Sequence, residues 1–274
     1  MSGAARIGQL TGEAARYLAT QNRTPLHPDH TPTPTPASAI VLAGILHRTR
    51  THPHTPIPAL HDLPTGWTGY PPEDISALLR LHTARVLTVA DTTPPHAFHY
   101  VDGTLTLRIA HAHLEPTGGH DHAQVLLDRT TAMLAAPGRR AARQREELTR
   151  LVHDMEVRAV LRYTDALLTT RHGLTPVPDE HRPALAEHIT RGLTEHTYTC
   201  GQLATLAHRA VCSADDWAPA ADAPTATVDF FDEHLARAHA RRAPIPEQDI
   251  PTWAGPPAAL VAGRVLLHHV TARQ

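Results

Sequence analysis

Histidine offers most of the chemistry in this chain of 274 residues, which holds 23 of them. The densest group is His111, His113, His120 and His122, two His-x-His pairs around a Gly-rich turn that also carries Glu115 and Asp121. Imidazole nitrogens suit zinc and its neighbours, which need three or four N, S or O donors converging on one point. A turn that folded the two pairs together would make this loop the centre of a metal-dependent enzyme. The spacing speaks against it: metallo-hydrolases pack His-x-His-x-Asp-His, whereas Asp121 stands eight positions after His113. His96 and His99 form a sparser pair, and the adjacent His268 and His269 point different ways on a helix.

Other reactive types are thinly spread. Cys200 and Cys212 are twelve positions apart; on one helix that is about 18 Å, too far for a disulfide. Asp215 and Asp216 form an acidic pair that reads as a loop. Trp67, Trp217 and Trp253 each stand beside Pro/Gly-rich stretches, where a Trp is expected to plug the core under its loop. There is no phosphate-cradling Gly loop, no Gly-x-Ser-x-Gly elbow and no His-Glu-x-x-His. These observations lead us to expect no enzyme, no cofactor and no bound metal.

Composition tempers the histidines further. The chain has no Lys, one Asn (Asn22) and three Phe, yet 25 Pro. Residues with C-rich codons are abundant and those with A- or T-rich codons scarce, the coding bias of a high-GC genome. Many His and Pro then sit on tolerant surfaces, and all 25 basic residues being Arg has the same origin. Hydrophobic content of 41% with net charge −2 predicts a folded chain. No apolar run reaches the ~18 residues of a membrane span, and the N-terminus lacks a signal-peptide core, so a cytoplasmic protein with no membrane contact is expected.

The elements follow from periodicity. Ile7, Leu10, Ala14, Tyr17 and Leu18 predict a short helix, and the Thr-Pro alternation after Asn22 predicts an extended tether that ends near residue 37. Helical spacing resumes over Ser38–Leu46, briefly over Ile57–Leu63, and again over Glu73–Ala84 with Ile75, Leu78 and Leu79 inward. Val86–Ala90 reads as a strand, and Asp102-Gly103 between alternating residues predicts a β-hairpin.

Three helices, a strand and a hairpin over residues 38–110 resemble a winged helix-turn-helix domain. Ser76, Leu78, Leu79, Leu81, Leu87 and Val89 carry the likeness, while Arg85-Val86 stands where Gly is usual. The resemblance implies that Ser76, Arg80 and Thr83 face a DNA major groove, with Arg85 and Arg108 on the phosphates. Glu73 and Asp74, at the end that would enter the groove, would repel phosphate.

Beyond residue 115 every period is helical. The longest run spans Arg139–Thr170 and begins with Arg139, Arg140, Arg143 and Arg145, an expected basic edge for sequence-blind DNA contact. Charge is balanced over residues 1–115 (8 Arg, 8 acids), basic over 116–172 (9 against 7) and acidic over 173–274 (8 against 12). The fold expected is mainly α: an N-terminal helix and tether (1–37), a winged-helix unit with a small β-hairpin wing (38–115) and an all-α helical bundle (116–274). The function expected is a regulator that binds double-stranded DNA, its bundle forming a homodimer or sensing a partner. The alternative is an adaptor whose winged helix binds a protein partner.

Overall fold

The computed structural model describes residues 12–18, 26–27, 30–51, 57–242 and 244–272. It is mainly helical, with two small antiparallel sheets, and it divides into two compact units. The first comprises the chain up to Leu151 together with Ala258 onwards; the second is Val152–Pro257. The boundary expected at residue 115 therefore lies inside the first unit. Ile7 and Leu10 of the predicted first helix lie outside the described residues.

The first unit is assembled around α2 (Pro36–Thr51), whose residues Pro36–Leu46 are all buried. A helix apolar on every side needs neighbours on every side. Here α3 (Pro71–Thr83), α4 (Gly119–Ala135) and α9 (Leu260–Thr271) supply them. Gly44 permits the closest approach: a Cβ there would lie 2.7 Å from Ala259 Cβ and 3.1 Å from Trp67 Cε3. The short helix at residues 12–18, α1, buries Ala14 and sets the Tyr17 ring edge-on to Phe98 at 5.4 Å. In the Thr-Pro segment Thr31 is buried and its hydroxyl donates to His27 O.

Prolines 71 and 72 open α3, where their missing N–H groups are no loss. Its buried face is Asp74, Ala77, Leu78 and Leu81. The inward set predicted from the sequence needs correction, because Leu79 is 45% exposed. The helix ends in a Schellman turn: Val86 N donates to Leu81 O and Arg85 N to His82 O, both at 2.9 Å. Arg85 holds the left-handed position at φ +54°, so the turn normally built on Gly is made with a side chain in place.

Strand β1 (Leu87–Val89) pairs with β4 (Leu114–Pro116), Thr88 opposite Glu115. The predicted hairpin is present as β2 (Phe98–Val101) and β3 (Thr104–Leu107), with Val101 opposite Thr104. Asp102 (φ +48°) and Gly103 (φ +76°) both take positive φ, the requirement of a type I′ turn. The hairpin forms its own two-stranded sheet, separate from β1 and β4.

Helix α5 (Arg139–Ala166) follows the Pro137-Gly138 turn and closes in a π turn at Leu167–Arg171. The second unit continues with α6 (Arg182–Thr194), α7 (Cys200–Trp217) and α8 (Ala223–Arg241). Leu185, Ile189, Leu203, Leu206, Phe231 and Leu235 fill its core, as their helical spacing predicted. Thr199 and Gln202 form a capping box at the start of α7. Among the described residues no helix is long and apolar enough to cross a membrane.

Candidate functional site

The residues expected to meet DNA fall into three groups. Ser76, Arg80 and Thr83 are exposed at steps of four and three along α3, which sets them on one side of the helix. Ser76 Oγ donates to Pro72 O at 3.0 Å, and Arg80 Nη1 reaches Thr35 Oγ1 at 3.4 Å. Arg85, after the turn, and Arg108, after β3, are also exposed. Arg139, Arg140 and Arg143 stand exposed at the start of α5.

Arg145 differs, being half-buried. Its Nη1 donates to Leu134 O (2.7 Å) and Ala136 O (2.8 Å), so it caps the C-terminal end of α4. The expectation of a fourth free Arg on that edge is corrected: the guanidinium is committed to carbonyls that the end of a helix leaves unpaired.

The acidic end of α3 is also not what the sequence suggested. Asp74 is fully buried. Its carboxylate accepts from Trp67 N (2.9 Å), Thr68 N (3.0 Å) and Thr68 Oγ1 (2.8 Å) and pins the Gly66–Thr68 turn to the helix. Burial raises its pKa from the ordinary carboxylate value to about 6, outweighing the hydrogen bonds that pull it down. Only Glu73 of the acidic pair is left near the surface.

Beside the exposed side of α3 runs a groove of about 360 Å³, walled by Pro32, Pro34, Leu79, Arg80, Thr83 and Val86. Its lining is largely apolar, and the exposed Leu79 stands on its rim.

The two His-x-His pairs do not converge. His111 ends a 3-10 turn, Ile109–His111, rather than lying in a strand with His113. His113 Nδ1 meets Thr92 Oγ1 at 3.1 Å, and His120 Nδ1 meets Thr49 Oγ1 at 3.2 Å. His120 instead lines a cleft of about 520 Å³ with His47, Arg50 and His269, between α2, α4 and α9. His111 gathers with His61 and His96, whose rings lie 4.5 Å and 5.9 Å from it, centroid to centroid. The donor nitrogens of these three all lie within 4.8 Å of one another. Burial lowers the pKa of His111, and the charges of His61, His96 and Arg108 lower it further against Asp62. Neither His61 nor its meeting with the other two has any signature in the sequence, because the three are far apart along the chain.

The remaining candidates separate. Cys200 is buried and Cys212 half-buried on α7, and no disulfide joins them. Asp215 and Asp216 lie in the last turn of α7 rather than a loop, and Asp215 Oδ2 pairs with His172 Nδ1 at 2.8 Å. Trp67 fills the core as expected. Trp217 is 82% exposed and Trp253 47%, so neither plugs a core. Comparison with protein-family models, with curated proteins and with solved structures finds no match for this chain.

Proposed function

We propose that the first unit contacts double-stranded DNA through the outward side of α3, with the β2–β3 hairpin beside it. The observation that carries this reading is the single exposed row Ser76, Arg80, Thr83, followed by Arg85. Arg80 can pair with guanine, while Arg85 and Arg108 suit phosphates. Withdrawal of the Asp74 carboxylate into the core removes half of the acidic objection at the helix start. The proposal assigns no reaction to the chain.

Titrating the full chain with a random duplex at low and at physiological salt tests it. The two phosphate-facing Arg, Arg85 and Arg108, predict a salt slope near −1.8, so affinity falls about sevenfold between 50 and 150 mM salt. Arg80→Ala lowers affinity at one base position by about 1–3 kcal/mol, and Leu79→Ala does not. Absence of binding at both salts overturns the proposal. A second reading is favoured by the apolar groove and the exposed Leu79, which suit a protein partner better than phosphates. It predicts a parent chain with no duplex affinity at any salt.

A further inference from the structure

Three single-turn 3-10 helices meet in the first unit, and each delivers one histidine. His61 is the middle residue of Leu60–Asp62, His96 the middle residue of Pro95–Ala97, and His111 the last residue of Ile109–His111. We propose that His61, His96 and His111 form a binding site for a divalent transition metal ion of the zinc type. The proposal stands independently of DNA contact.

Four features support it. The three donor nitrogens lie within 4.8 Å of one another, and a tetrahedral ion with Zn–N bonds of 2.0–2.1 Å spaces its donors by roughly 3.3 Å. His61 and His96 are exposed, so their rings have room to swing inward by the difference. Asp62 Oδ1 lies 3.2 Å from His61 Nε2. A carboxylate beside Nε2 favours the tautomer whose Nδ1 lone pair can bind an ion, and carboxylates of this kind orient metal-bound histidines generally. Lastly, Nδ1 of His111 is buried with no hydrogen-bond partner, which leaves that ring with a polar need the surrounding protein does not meet.

The donor set selects the ion class. Three imidazoles with no carboxylate among the donors suit zinc, cobalt, nickel or copper, and do not suit magnesium or calcium, which take oxygen. Three ligands leave one position of a tetrahedron for water. The site also has a mechanical consequence. The turns bearing His96 and His111 flank the hairpin at its two feet, where Arg108 N already donates to Ala97 O at 2.7 Å. An ion held by all three histidines clamps both feet and ties them to the turn ahead of α3.

The test uses the full chain prepared without a polyhistidine tag and stripped with a chelator. Titration with Co²⁺ should give one equivalent with the intense visible bands of a four-coordinate site, and Zn²⁺ should displace it; Mg²⁺ should not. His61→Gln and His96→Gln, at exposed positions, should each weaken both ions about tenfold or more, and Asp62→Asn should weaken them less. His113→Gln and His120→Gln should bind as the parent does. Zn²⁺ should also slow amide exchange in residues 98–107 of the parent and leave it unchanged in the His96→Gln chain. Several weak equivalents with six-coordinate spectra, or equal affinity in the parent and the His61 and His96 variants, overturn the site. Circular dichroism of each variant separates lost metal from lost fold.

Discussion

Asp74 shows how one buried side chain changes what its neighbours mean. As a residue type at the start of a helix it signals an exposed charge beside the helix dipole, and that is how its position reads in the sequence. Its three hydrogen bonds to the Gly66–Thr68 turn are invisible there, because they depend on a loop folding back over the helix. The same limit hid His61, His96 and His111: no spacing links residues that meet only through three separate turns. Asp74 also carries a pH signature. Its folded pKa of about 6 lies above the ordinary 3.8, so the folded state binds a proton more readily than the unfolded chain. Its contribution to stability therefore grows as pH falls through 6 and levels off below about 4. Asp74→Asn removes the titration and sets an amide against three donors. Urea midpoints at pH 7 and pH 5 should show the parent gaining on the variant by about 1 kcal/mol at the lower pH. A lead that shrinks on acidification contradicts the raised pKa.

Among the elements, the long α5 and the core helices of the second unit were legible because a 3.6-residue period survives in any sequence that buries one face. The hairpin was legible because Asp-Gly is one of the few pairs that accept two positive φ values in succession. Less legible was the end of α3, where a left-handed Arg85 stands in a turn that normally advertises itself with Gly. The register of α3 also slipped by one position, since Asp74 joined the buried stripe and Leu79 left it. Arg85→Gly should relieve the left-handed strain and raise stability by about 1 kcal/mol in thermal or urea unfolding, while removing the guanidinium proposed to meet phosphate. A variant both stabilised and weaker toward duplex separates the two roles; one that is destabilised refutes the strain. At the hairpin tip, nothing lies within 4 Å of a Cβ built on Gly103, so substitution there acts through the backbone alone. Gly103→Val should cost about 1–2 kcal/mol and Gly103→Asn much less, and equal midpoints for the two variants would deny the turn its type.

At the scale of the molecule, the first unit is discontinuous: α9 returns from beyond Pro257 to cover α2 and α4. Local periodicity announced α9 as a helix but not its destination, because the choice of neighbour rests on shape. Gly44 records that choice, since Ala259 Cβ and Cα occupy the space its side chain would need. Gly44→Ala should therefore destabilise by about 1–3 kcal/mol, with no flexible chain end able to give way. A variant as stable as the parent would mean that α2 and the start of α9 stand further apart. The same return sets an order of events while the chain is being made. Helix α2 leaves the ribosome early with a flank that α9 later covers, and the whole of Val152–Pro257 must be translated first. At 5–20 residues per second that delay is about 5–20 s, long enough for the second unit to complete its core. Throughout that interval the first unit carries an apolar seam along α2 and α4 that stays uncovered until α9 has emerged.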